Sequence, residues 1–327
     1  MDKILSPGCI LCHEGAKMVL FITGTCRRTC WYCPLSRERK GRDVIYANEL
    51  RIQTPDDAVK EALRMSALGT GITGGEPLDK IDRVVNFARR LKEEFGQSHQ
   101  IHLYTGIPAS KEDLLALSGL VDEIRFHPPR ELWNTIMETP FIDSVREARR
   151  MGFVTGFEVP ALPGLENLEC VLEELDFLNI NELEWGESNA AEMRRRGYEP
   201  EDGVHNAVRG ARLWAESLDR HPKVHWCSSQ FKDSVQLRKR LQRIARNTAR
   251  PFDEVTDDGT VIYGMVNKEA VPPDILKQLD RDLYEIRNGD VEMAWWLLVE
   301  LADTLAGDKA VIERYPDHGV IMEVTPL

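Results

Sequence analysis

The chain has 327 residues, with 42 Lys and Arg against 54 Asp and Glu and a formal charge of −12 at pH 7. That balance argues against a surface that coats nucleic acid generally. The absence of any apolar run of about 18 residues argues against a membrane-spanning helix. The opening Met1-Asp2-Lys3-Ile4-Leu5-Ser6-Pro7 lacks the charged and apolar regions of a signal peptide, so a cytoplasmic enzyme with no membrane partner is expected. Seven cysteines, an odd number, suit metal ligation in a reducing compartment better than a disulfide framework.

Three regions follow in chain order: 1–16, 17–225 and 226–327. The first carries Cys9 and Cys12 at the spacing that thiolate metal sites use. Cys9-Ile10-Leu11-Cys12-His13 also matches c-type haem attachment, which would make the chain an electron carrier, but that chemistry belongs to exported chains. The second region alternates strand-like runs at 17–24, 70–73, 100–104, 121–126, 153–159 and 182–185 with helical stretches near 56–68, 81–95, 111–117, 142–151, 165–178 and 202–218. Six repeats of strand then helix predict an α/β fold built on a parallel sheet.

Cys26, Cys30 and Cys33 stand directly after the first strand. A [4Fe–4S] cubane takes four thiolates, and this loop offers three, which leaves one iron open to a ligand. Zinc or plain buried thiols are the alternative, yet zinc favours paired spacings. Gly69-Thr70-Gly71-Ile72-Thr73-Gly74 matches the dinucleotide fingerprint, but a helical pattern precedes it where a strand is required. In Gly74-Gly75-Glu76-Pro77 the glycines let the backbone approach a ligand, Glu76 offers an acceptor to an ammonium group, and Pro77 stiffens the turn.

The Cys-x3-Cys-x2-Cys spacing, with Tyr32 before the last cysteine and the later Gly-Gly-Glu-Pro, resembles the radical S-adenosylmethionine (SAM) superfamily over roughly 17–220. The resemblance implies a partial (β/α)6 TIM-type barrel with a small C-terminal α+β appendage. It also implies a [4Fe–4S] cluster on Cys26, Cys30 and Cys33 whose open iron chelates SAM, a low-potential electron donor, and reductive cleavage to a radical that abstracts hydrogen. Gly74, Gly75, Glu76 and Pro77 would hold the methionine moiety. Pro34-Leu35-Ser36, the basic loop 37–42 and Asp43-Val44-Ile45-Tyr46-Ala47-Asn48-Glu49 narrow the likeness to a largely archaeal group related to pyruvate formate-lyase activating enzymes. Within it, a glycyl-radical activase acting on a partner protein competes with modification of RNA or a small metabolite. A zinc-stabilised binding module is the reading without redox chemistry.

Ligands of such barrels gather at the carboxyl ends of the strands. Thr105 is therefore a candidate ribose contact, while Arg125 and His127, two apart on the fourth strand, share a face that relatives turn toward the cofactor. Glu158, Glu187, Ser188 and Asn189 are candidate polar wall. Cys9, Cys12 and Cys227 bracket the barrel and are candidates for a second site, zinc or an auxiliary iron–sulfur cluster, with His13, His225 or Cys170 completing the set; Cys170 reads better as a small buried hydrophobe. In the third region, 236–250 is basic without an acid, a solvated helix face or a phosphate-tracking one. Asp257-Asp258-Gly259 predicts a hairpin. Helices at 274–286 and 290–305, with Trp295 and Trp296 in the core, and a strand at 320–324 follow.

Overall fold

The computed structural model of the chain describes residues 3–202 and 206–327. The first two residues of the N-terminal segment, and 203–205 of the helix expected near 202–218, lie outside the described residues. The chain forms two compact units, Met1–Leu63 with Ala67–Gln236, and Arg64–Ser66 with Leu237–Leu327.

The first unit is built on a nine-stranded sheet. Its strands are β1 (Lys17–Phe21), β2 (Ile45–Ala47), β3 (Leu50–Ile52), β4 (Gly69–Thr73), β5 (Gln100–Thr105), β6 (Glu123–Phe126), β7 (Val154–Pro160), β8 (Phe177–Asn181) and β9 (Val224–Cys227), in the order β3-β2-β1-β4-β5-β6-β7-β8-β9. Seven of them, β1 and β4 to β9, run parallel, and the antiparallel hairpin β2–β3 borders β1. Helices Pro55–Arg64, Ile81–Phe95, Lys111–Leu117 and Pro140–Arg150 make the crossovers up to β7. The fold is α/β, a partial TIM-type barrel whose core includes Leu20, Ile72, Leu103, Ile124, Phe157, Leu178 and Ile180.

Two strands differ from the sequence reading. The sixth parallel strand is Phe177–Asn181, not 182–185. It is buried along nearly its whole length, and in five residues the alternation of Asn179 and Asn181 with apolar neighbours is too short to set a strand apart from the end of the helical pattern before it. The stretch before it, Leu165–Val171, is a 3-10 turn rather than an α-helix. A seventh parallel strand, β9, follows the helix Ala211–Asp219 and carries His225 and Cys227 into the sheet. Gly69–Thr73 is itself a strand, which removes the dinucleotide fingerprint from any strand-to-helix turn. Cys170 is exposed rather than buried.

The N-terminal helix Pro7–His13 starts with Ser6 as its cap and proline in its first turn. Glu123, at the start of β6, accepts from Ser6 Oγ at 3.0 Å and from Gly8 N at 3.0 Å. Leu11 packs on Gly69 at the start of β4, where a Cβ on the glycine would lie 2.5 Å from it. The helix thus stoppers the amino end of the barrel.

The second unit holds a helix, Arg238–Thr248, and an antiparallel sheet of β10 (Glu254–Val255), β11 (Val261–Asn267), β12 (Tyr284–Arg287), β13 (Asp290–Met293), β14 (Lys309–Arg314) and β15 (Ile321–Pro326). The hairpin at 257–259 forms, with Gly259 at φ +81°. The long helices expected at 274–286 and 290–305 do not form. They shrink to Pro273–Gln278 and Trp295–Leu301, with β12 and β13 in the space between. Asn288 and Gly289, at φ 52° and 93°, make the turn between these strands, the Asn-Gly signal of a two-residue hairpin. Leu297 and Leu298 enter the core, whereas Trp296 is exposed. Part of the basic run is spent inside this unit, because Arg250 pairs with Asp253 at 2.8 Å and with Glu292. Among the described residues no helix is long and apolar enough to cross a membrane.

Candidate active site

The cluster-type loop is closed by backbone. Gly24 donates to Arg42 O at 2.8 Å and accepts from Gly41 N at 2.8 Å, so residues 25–40 leave and return at one point. The same segment is zipped to the Gly-Gly-Glu-Pro turn, with Gly75 N donating to Thr23 O at 2.6 Å and Glu76 N to Thr25 O at 2.9 Å. A Cβ on Gly74 would lie 2.5 Å from Thr23 O, and one on Gly75 only 2.1 Å from Thr25 O. Both glycines are required by this close approach of two backbones.

Cys26, Cys30 and Cys33 face a chamber of about 530 Å³ at the carboxyl ends of the strands, together with Tyr32, Gly74, Gly75, Pro77, Thr105 and His127. Glu76 itself points beneath its floor. The carboxylate is fully buried and accepts from Leu78 N at 3.0 Å, Thr105 Oγ1 at 2.9 Å and Gly106 N at 2.7 Å. Burial pushes its pKa up, against those three hydrogen bonds. Its work in the fold is to fix Thr105-Gly106 beside the Gly74-Gly75 backbone. Arg28 closes the same corner through Nη1 to Gly106 O at 2.6 Å.

The far wall is held by residues after β8. Asn189, fully buried, donates from Nδ2 to Tyr32 O at 2.9 Å and to Glu184 O at 3.0 Å, and Ser188 Oγ donates to Cys33 O at 2.9 Å. Glu187 pairs with Arg37 at 3.3 Å. Tyr32 OH and His127 Nε2 are 3.0 Å apart, and His127 Nδ1 is 2.8 Å from Glu158 O. A carbonyl only accepts, so Nδ1 carries the proton and Nε2 accepts from the Tyr32 hydroxyl. Burial lowers the His127 pKa, consistent with that neutral ring.

Arg125 stands apart from this group. It lines a second, lower chamber of about 260 Å³ with Cys9, Cys12, His13, Lys17, Tyr104, Glu158, Asn179, His225 and Cys227. Its guanidinium pairs with Glu123 at 2.5 Å and Glu158 at 2.6 Å and donates to Ser6 Oγ at 2.9 Å. Burial would raise the Glu158 carboxyl; Arg125 with Asn181, Lys17 and Asn179 outweighs it and brings the pKa down to about 2. Thr73, Tyr104, Glu158, Asn181 and Lys232 border both chambers, which are therefore neighbours along the barrel axis. The alternating Asn179 and Asn181 of β8 and the Lys232–Glu184 ion pair at 2.7 Å were not singled out from sequence. A correctly placed β8 would have shown the period-two polar face.

The arrangement fits an iron–sulfur cluster. Three thiols of one loop face a common space, and burial together with Glu76, Cys30 and Cys33 raises the Cys26 pKa, an unfavourable grouping that a bound cation relieves. Among the described residues no three His, Cys, Asp or Glu groups already converge on a single ion; a cubane spreads its thiolates over separate irons.

Residues 20–128 match the radical SAM superfamily, and 259–327 match a domain of unknown function, DUF8061. A Methanocaldococcus jannaschii protein, MJ0021, bearing the provisional name of glycyl-radical enzyme activating enzyme, is 41% identical over 280 residues, covering 81% of this chain and 74% of that one. The chain belongs to the radical SAM superfamily. It is an enzyme, related to the activating enzymes of that superfamily. Among solved structures, Streptococcus suis SuiB bound to SAM aligns at 12% identity with a TM-score of 0.41, and SuiB bound to its precursor peptide SuiA at 14% and 0.41. Each covers 65% of this chain, which spans about half the length of SuiB.

Proposed function

We propose that this radical SAM enzyme is a glycyl-radical activase, with Cys26, Cys30 and Cys33 holding a [4Fe–4S] cluster and the Gly74-Gly75 backbone and Thr105 receiving SAM. The observation that carries the site assignment is the convergence of the three cysteines, both glycines and Thr105 on one chamber. When bound, cluster and SAM together supply a carbon-centred radical that removes a hydrogen atom. The chain's own residues do the positioning. Glu76 holds Thr105-Gly106 in place, Asn189 and Ser188 anchor the carbonyls of Tyr32 and Cys33, and the neutral His127 fixes the Tyr32 hydroxyl.

The activase reading rests on the 41% identity to a relative that carries that name. The experiment is isotopic. The reconstituted enzyme, SAM and dithionite are mixed with lysate fractions of the source organism grown on α-deuterated glycine, and 5′-deoxyadenosine is analysed by mass. Deuterium entering it with a protein fraction supports the activase. Cleavage stimulated only by an RNA or small-molecule fraction, with no deuterium transferred, overturns it.

A further inference from the structure

The lower chamber is not used by this reading, and its composition is unusual for the inside of a barrel. Cys9 and Cys12 enter it from the stopper helix Pro7–His13, and Cys227 and His225 enter from β9. His225 and Cys227 are two apart on one strand and so share its inward face. The ring of His13 lies 5.5 Å from that of His225. Two segments more than 200 residues apart in the chain thus deliver three thiols and two imidazoles to one enclosed space of about 260 Å³.

Two further observations concern charge. Asn179 Nδ2 donates to Cys9 Sγ at 3.2 Å, and Arg125 Nη2 approaches the same sulfur at 3.6 Å; N–H groups aimed at a sulfur are the setting of a metal-bound thiolate. Lys17 also lines the chamber, where its positive charge acts on Glu158. Among the described residues around the chamber, the carboxylates of Glu123 and Glu158 pair with Arg125 and that of Glu184 with Lys232, so three carboxylates balance the three cations Arg125, Lys17 and Lys232. A divalent ion on three thiolates carries one negative charge, and Lys17, which lines the same chamber, is a cation beside it.

We propose that the chamber is a metal site for a single thiophilic divalent ion, zinc or iron, ligated by Cys9, Cys12, Cys227 and His225. No three of these groups already stand around one point, so binding turns the thiols inward about their Cα–Cβ bonds. The ion ties the stopper helix to the last strand of the sheet and closes the floor beneath the upper chamber. Binding releases the thiol protons to solvent, and no redox step is involved.

The test uses full-length protein carrying Cys26→Ala, Cys30→Ala and Cys33→Ala, so its result is independent of the cluster and of the activase reading. After anaerobic purification, metal content is measured, and the chelator-stripped protein is titrated with cobalt(II). Expected are about one equivalent bound per chain with thiolate-to-cobalt charge-transfer absorption, displaced by zinc. Iron or zinc in the purified protein identifies the natural ion. Adding Cys227→Ser should abolish the charge-transfer band while far-ultraviolet circular dichroism stays unchanged, and His225→Gln should keep the band but weaken binding roughly tenfold or more. A protein that retains Cys9, Cys12 and Cys227, is folded, and gives no such band overturns the site. So does a band that survives Cys9→Ser, Cys12→Ser and Cys227→Ser together.

Discussion

The Gly75 amide donates to the Thr23 carbonyl at 2.6 Å, and through this bond two motifs about fifty residues apart become one surface. β1 and β4 are parallel neighbours with Phe21 opposite Thr73, so the chain leaving each strand continues beside the other. The cysteine loop and the glycine turn meet because they follow adjacent strands.

Gly75→Ala tests that junction. Its Cβ would meet the Thr25 carbonyl at 2.1 Å, and backbone does not yield as a side chain does. A loss of about 1–3 kcal/mol in urea unfolding is expected, with weaker SAM binding in the reconstituted protein. Unchanged stability and affinity together would mean that the close approach is not needed.

Tyr32 and His127 should behave as a pair. Tyr32→Phe removes the hydroxyl that the neutral imidazole accepts and should cost about 0.5–1.5 kcal/mol. His127→Phe in that background should cost less than it does alone, since the partner is already gone. A double-mutant cycle with no coupling contradicts the hydrogen bond.

Asn189→Ala strips the partner from the buried carbonyl of Tyr32, the part-buried carbonyl of Glu184 and the Gly186 amide. We expect a destabilisation of about 1–3 kcal/mol and faster loss of iron from the reconstituted protein on dilution into chelator. Asn189→Asp, which keeps only the acceptor for Gly186, should fall on the same side. Iron retention equal to wild type would remove Asn189 from the support of the cysteine loop.

Acid should expose the Glu158 network. Its pKa in the fold, about 2, lies below the unfolded carboxylate value of about 4.3. A depressed folded-state pKa stabilises fully above the unfolded value, and that contribution disappears as pH falls from about 5 to about 2. The loss should be on the order of 2–3 kcal/mol. Urea unfolding of wild type and Glu158→Gln across this range measures it, and the variant should show a correspondingly flatter pH profile. Identical profiles would mean that Arg125 does not hold this carboxylate ionised.

Much of this was legible in the residues. Cys26, Cys30, Cys33 and Gly74-Gly75-Glu76-Pro77 are local motifs, and their meeting followed from strands that alternate with helices. Glu76 was harder, because the motif names a carboxylate but not its direction, and the Thr105 hydroxyl and Gly106 amide that capture it come from a different strand. Arg125 was placed on an inward face, yet its acidic partners, Glu123 two residues away and Glu158 on β7, draw it to the lower chamber. β8 and the β12–β13 hairpin differ from the sequence reading for different reasons: the Asn179/Asn181 alternation of β8 spans too few residues to stand out from the helical pattern before it, and the Asn288-Gly289 turn lies between two stretches whose apolar spacing is helical.

One measurement bears most directly on the proposal that Cys26, Cys30 and Cys33 hold the cluster at which SAM is cleaved. Wild type and the Cys26→Ala, Cys30→Ala, Cys33→Ala protein are reconstituted anaerobically with iron and sulfide, reduced with dithionite and given SAM. Wild type should show a reduced [4Fe–4S] electron paramagnetic resonance signal that shifts on adding SAM and should release 5′-deoxyadenosine, and the variant should do neither. Release of 5′-deoxyadenosine by the variant at the wild-type rate would contradict the proposal.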